Sequence, residues 1–171
     1  MVVYQAYNPA IAAYAQEHQE LGGPHFSRTR MSWIKPNFLW MMYRCGWATK
    51  ENQERVLAIA ISKKFFQKIL DRGVLSSYDV NSCQTREEWK EKMANSEVRI
   101  QWDPDHDPYG KKQSRRAIQI GLKGEMLRDF CAREIYFIED ITDFVKEQKM
   151  LLDKGGINQL WMPVEAVLDF E

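Results

Sequence analysis

Two short stretches constrain the fold more than any other feature of the chain. Val98–Asp103 (VRIQWD) and Arg116–Leu122 (RAIQIGL) both alternate polar and apolar side chains. A period of two sends successive side chains to opposite sides of a strand, so each stretch reads as a half-buried strand. Val98, Ile100 and Trp102 face one way and Arg99, Gln101 and Asp103 the other; in the second stretch Ile118, Ile120 and Leu122 oppose Gln119 and Gly121. The turn-rich segment Pro104–Ser114 between them predicts a long-looped antiparallel pair. Such a pair can carry one wet face, which is either solvated or covered by a ligand.

The remaining elements follow from local signals. Pro9–Glu20 predicts a helix that Leu21-Gly22-Gly23-Pro24 ends, because glycine frees the backbone and proline cannot continue a helix. Arg30–Lys35 reads as a short strand with Met31 and Trp33 on one face and Arg30, Ser32 and Ile34 on the other. Pro36 then opens a helix through the apolar run Phe38–Tyr43, which Gly46 stops. Val56–Ile61 (VLAIAI) is continuously apolar at strand length and predicts a central strand buried on both faces. Lys63–Arg72 is an amphipathic helix, Val74–Gln84 a loop, and Thr85-Arg86-Glu87-Glu88 a capping box that starts another helix. Gly124–Arg133 reads as helix and Glu134–Ile138 as strand; Thr142 caps a helix to about Lys154, and Leu160–Met162 forms a last edge strand beside Pro163. Hairpin and crossover connections are mixed. The prediction is an α+β fold, a single domain over residues 1–171, with one mixed, mostly antiparallel sheet flanked by helices.

Composition sets the outer limits. A chain of 171 residues fits one domain and is long enough to bury a core without disulfides or a metal. Cys45, Cys83 and Cys131 are odd in number, widely spaced and without a CxxC, which predicts reduced thiols in a cytoplasmic protein. No apolar run is long enough to span a bilayer, and Met1–Glu20 lacks the basic start of a secretory signal, so no membrane association is expected. The 24 basic and 24 acidic residues cancel, which excludes a uniformly cationic nucleic-acid coat. Their placement is uneven. His25–Lys50 carries five cations (Arg28, Arg30, Lys35, Arg44 and Lys50) and no acid, whereas Glu134–Glu171 carries nine acids. That asymmetry reads either as an anion-facing region with a solvated acidic flank or as two surfaces that pair within the fold.

Two constellations could carry chemistry. The first is Arg28, Arg30, Ser32, Trp33 and Lys35, running into Pro36-Asn37 at a helix start, where first-turn N–H groups and Lys35 would suit a phosphate or carboxylate. Arg44 and Trp47 follow in the same segment, and indoles beside cations can form ligand walls. The second is Arg99, Gln101 and Asp103 with Arg116 and Gln119 as expected neighbours. If both share a sheet face, they make a cationic, amide-lined, Trp-walled cleft. Glu139, with Asp140 just after the strand Glu134–Ile138, could supply a carboxylate at a strand end, where active sites often sit. No metal site is expected: the histidines occur in no HExxH or CxxC context, and Asp103–Asp107 lacks the rest of a calcium loop. There is no phosphate-binding glycine loop and no GxSxG.

The run from Arg30 to Trp47 (RMSWIKPNFLWMMYRCGW) resembles the signature of the family known as domain of unknown function 4291. Gln53–Ile59, Val98–Pro104, Arg116–Leu122 and Ile138–Thr142 support the same resemblance over most of the chain. It implies that Arg30, Ser32, Trp33, Lys35, Arg44, Trp47, Arg99, Gln101, Asp103 and Gln119 are family-typical positions. A fainter likeness, a basic strand followed by a helix and Gly46-Trp47, is to ADP-ribosyltransferase-like folds. That likeness implies NAD as cofactor, Arg30 and Ser32 as its contacts, and Asp103 or Glu139 as the acid, although no Gln/Glu-x-Glu motif is present. The expected partner is an anionic small molecule such as a nucleotide or NAD. The alternatives are a non-catalytic RNA- or DNA-binding module and a protein-interaction domain.

Overall fold

The computed structural model describes residues 1–165, so the end of the acidic stretch lies outside the described residues. The elements run β1 (Val2–Tyr7), α1 (Pro9–His18), β2 (Ser32–Ile34), α2 (Phe38–Cys45), β3 (Arg55–Ile61), α3 (Lys63–Asp71), β4 (Gly73–Leu75), α4 (Arg86–Asn95), β5 (Val98–His106), β6 (Lys112–Leu122), α5 (Gly124–Ala132), β7 (Ile135–Asp140) and α6 (Thr142–Asp153). A short 3-10 turn, Ile157–Gln159, follows. The fold is α+β. Every strand pair is antiparallel except β4 with β5.

The strands divide into two sheets, β1-β3-β7 and β2-β6-β5-β4, where one sheet was expected. The two meet at a single bridge, in which Tyr4 and Lys35 exchange backbone hydrogen bonds of 2.8 and 3.1 Å. Among the described residues no other backbone pair joins the two sheets. β1 still runs beside β2.

The alternating strands β5 and β6 bury their apolar faces as the periodicity requires. Val98, Ile118, Ile120 and Leu122 join Ile34, Leu57, Ile59, Phe65, Leu127 and Phe130 in the larger core cluster. A second cluster forms around α2, where Phe38, Met41, Met42 and Cys45 pack with Tyr4, Trp47, Val56 and Val145. An octapeptide helix with this many apolar residues is stable only when most of its sides are covered. All three thiols are free and buried; burial pushes Cys131 up to about 12, far from a reactive thiolate.

Several elements depart from the sequence reading. β1 was not expected, although Val3, Tyr4 and Gln5 are buried. The β5–β6 connection is shorter than predicted: β5 continues to His106, and the Asp107 carboxylate closes the turn by accepting from the Tyr109 and Lys111 N–H groups. Thr142 is the first helical residue rather than the cap; its hydroxyl accepts from Val56 N–H, while Asp140 accepts from Thr142 N–H. Residues 160–162 form no strand. The free edge of β7 is covered by side chains of the α1 end. Gln19 both donates to and accepts from the Ile138 backbone, and Gln16 accepts from Asp140 N–H. These amides satisfy an edge that would otherwise offer a template to another strand.

Candidate functional site

The strand order places β2 and β5 on either side of β6. Register then decides which residues share a face. Trp33 lies opposite Gly121, Gln101 opposite Gln119 and Asp103 opposite Ala117. The polar face of β5–β6 is therefore continuous with the Trp33 side of β2. The predicted shared cleft exists with the other parity: Trp33 and Lys35 face Gln101, Asp103 and Gln119, and Ser32 points away. α2 crosses above this face, and Trp40 and Arg44, four residues apart, descend from the same side of it.

Together these residues line a hollow of about 380 Å³: Trp33, Lys35, Trp40, Arg44, Gln53, Gln101, Asp103 and Gln119. Gln53 arrives by way of an unusual turn. Gly46, Trp47 and Ala48 are all left-handed, with φ of 59°, 55° and 65°, and Asn52 is also at 61°. Non-glycine residues adopt this conformation at a cost that surrounding structure must offset. Trp47 contributes by burial against Phe38, edge to face at 6.2 Å between centroids, rather than by lining the hollow.

The floor is a locked polar array. Asp103 accepts from Gln101 Nε2 at 3.0 Å and from Gln119 Nε2 at 2.9 Å. A carboxylate only accepts, so the chemistry itself fixes which way both amides point. Lys35 is 7% exposed, and its ammonium donates to Trp33 O at 3.1 Å. Burial, then the nearby Arg44 charge, lower its pKa from 10.5 to about 8, with Asp103 opposing. The Arg44 guanidinium sits 5.8 Å from the Trp40 ring centroid. Trp40 also stacks with Tyr43 and His106, at 5.5 and 5.2 Å. Its indole N–H is buried without an acceptor among the described residues, which is uncommon for a buried donor.

The other expected site residues lie elsewhere. Arg28 and Arg30 are exposed, the former near Glu20 at 3.9 Å, and β2 begins only at Ser32. The Ser32 hydroxyl lies within 2.7 Å of Gln5 Nε2 and 3.1 Å of the Tyr7 hydroxyl, behind the sheet. Arg99 shares the polar face opposite Gly121 but does not line the hollow, and its Nε is buried without a partner. Arg116 has the opposite parity and donates to Trp102 O at 2.7 Å. Glu139 is exposed on β7, in the other sheet.

The expected anion site at the start of α2 is filled from within the chain. Glu165 Oε1 accepts from Phe38 N–H at 2.7 Å, and Oε2 lies 3.3 Å from Asn37 Nδ2 and 3.8 Å from Arg115. A carboxylate there complements the positive helix end. Glu165 belongs to the acidic C-terminal stretch, but its ion pair is with Arg115, outside the cationic segment His25–Lys50.

Trp40 and Gln53 were missed by sequence reasoning. The spacing of Trp40 from Arg44 was the available signal for the first; Gln53 carried none. Among the described residues no three His, Cys, Asp or Glu side chains gather as a metal-ligand set, and no helix is long and apolar enough to cross a membrane. A larger hollow of about 710 Å³ lies between α4 and β4, bordered by surface residues such as Arg72, Glu88 and Lys92. It holds none of the buried polar groups that mark the first.

A family model described as "Domain of unknown function (DUF4291)" matches residues 1–168. No curated protein matches the chain.

Proposed function

The chain belongs to the DUF4291 family, whose description names no activity, and from the chemistry of its pocket we propose that it binds a small phosphate-bearing ring compound of the nucleotide class. One observation carries this reading: two indoles, two cations, three carboxamides and one carboxylate from five separate parts of the chain line one hollow. Its volume suits a small ligand. A planar base would stack on indole, and Arg44 with Lys35 would hold the phosphate by charge-assisted hydrogen bonds. The acceptorless Trp40 N–H offers one further donor to a ligand oxygen. NAD belongs among the candidates because Asp103, the carboxylate that ADP-ribosyl transfer would need, faces this hollow.

Calorimetry with mononucleotides and NAD at millimolar concentration tests the reading. We expect saturable binding, weakened tenfold or more by Arg44→Ala. No heat and no quenching of tryptophan fluorescence by any of them would remove it. Tighter binding of single-stranded RNA, with an affinity that falls steeply as salt rises, would favour the nucleic-acid module instead.

A further inference from the structure

The floor of the hollow offers donors and acceptors together. Gln101 and Gln119 lie directly opposite each other across β5 and β6, and each gives one Nε2 N–H to Asp103. A carboxamide carries two such N–H groups, so each glutamine keeps a second donor beside an Oε1 that has no partner among the described residues. Asp103 is half-buried and lines the hollow, so its carboxylate keeps accepting capacity toward a guest. A phosphate only accepts and would meet repulsion from that carboxylate. A hydroxyl suits the whole array, because it gives its proton to the carboxylate while its oxygen accepts from an amide.

We infer that this floor holds the ribose of the nucleotide, its neighbouring 2′- and 3′-hydroxyls donating to Asp103 and accepting from the second Nε2 N–H groups of Gln101 and Gln119. This rests on the nucleotide reading above and narrows it to ribonucleotides. In any nucleotide the sugar joins the base to the phosphate. With the base on an indole and the phosphate on Lys35 and Arg44, the lining left for the sugar is Asp103 and the three glutamines. Hydroxyl donors to an ionised acceptor make stronger hydrogen bonds than neutral pairs do. The two amides already hold the carboxylate in place, so little ordering remains to oppose binding. A deoxy sugar would set a C–H against a carboxylate lone pair and an amide N–H, leaving both unpaired. A site built to hydrogen-bond a hydroxyl rejects the analogue that lacks it for this reason.

Competition binding of AMP against 2′-deoxy-AMP and 3′-deoxy-AMP on the unaltered protein tests this with base and phosphate held constant. AMP should bind at least tenfold more tightly than either analogue. Asp103→Asn should reduce both ratios to within threefold, by loosening AMP and leaving the deoxy forms nearly unchanged. Deoxy forms that bind as tightly as AMP would overturn the ribose assignment and leave the nucleotide reading standing. A deficit confined to one analogue would overturn the sharing of both hydroxyls. A ribose preference that survives Asp103→Asn would overturn the role given to this carboxylate. Binding of none of the three would overturn the nucleotide reading and this inference together.

Discussion

The two faces of the β2-β6-β5 part of the sheet are built from alternate residues of the same strands, yet they have opposite physical characters. On one face Ile34, Ile118, Ile120, Leu122 and Val98 are buried and hydrocarbon only. On the other, Trp33, Lys35, Gln119, Gln101 and Asp103 surround a hollow. The first face gains stability from apolar area removed from water. The second holds a charged amine out of solvent and leaves an indole N–H without an acceptor. One face stabilises the fold; the other is tolerated by it, as the proposed binding role would require. The strongest way to break the comparison is to damage the dry face alone. Ile120→Ala, at a fully buried position, should cost about 2–5 kcal/mol of unfolding free energy. Denaturant titration would measure it, and nucleotide affinity of the folded protein should stay within twofold. A comparable loss of affinity would show that the two faces are not separable.

Lys35 sharpens the contrast from the other side. Its pKa falls from 10.5 to about 8 on folding, so the charged form is disfavoured in the native state by about 3 kcal/mol. Between about 8 and 10.5 the unfolded chain holds more protons, and wild-type stability rises with pH across that window. Below it the destabilisation is fully present; above it both states are neutral and it vanishes. Lys35→Met should therefore stabilise the protein by up to about 3 kcal/mol at pH 7 and flatten the alkaline rise. The same substitution should weaken binding of an anionic nucleotide. In the unaltered protein, that affinity should fall as pH rises past about 8 and the ammonium is lost. Unfolding midpoints and calorimetry at pH 7 and pH 10 would check both signs. A Met variant less stable at pH 7 would mean that Lys35 holds the fold together and is not held by it.

The same two faces explain what was legible in the sequence. Alternation along Val98–Asp103 and Arg116–Leu122 gave the wet and dry sides of β5 and β6 directly, because side-chain parity is a local property of a strand. It also gave Gln101, Asp103 and Gln119 as one polar array. Which side of β2 joins them is not local. It depends on register across β6, and the cationic count around Arg28 and Arg30 favoured the wrong side. Trp33 and Lys35 were on the candidate roster, but grouped with Arg30 and Ser32, which the pleat sends elsewhere. Arg116 failed for the same reason. The occupant of the α2 start was out of reach as well, since Glu165 lies 127 positions from Phe38 and comes back only through the fold. β1 went unseen because its six residues sit at the chain start, where the helix signal of Pro9–His18 dominated the reading.

The smallest expected effect falls on the residue that joins the two descriptions. Gly121 belongs to β6, opposite both Trp33 and Arg99, and its missing side chain lets the β2 residues lie flat across the polar face. A Cβ built there would stand 2.5 Å from Met31 Sδ and 3.1 Å from Trp33 Cε2. Methionine is flexible and can move aside, and alanine suits a strand interior better than glycine by about 0.5–1 kcal/mol. The overpacking and this gain partly offset, so Gly121→Ala should change stability by no more than about 1 kcal/mol. The indole has less freedom to yield, and it is a wall of the hollow. Nucleotide affinity should therefore drop about fivefold, equivalent to roughly 1 kcal/mol, with a shift in tryptophan emission. Affinity lost at nearly constant stability would locate binding on the wet face; stability lost by more than about 3 kcal/mol at constant affinity would make Trp33 a packing residue and move the ligand away from β2.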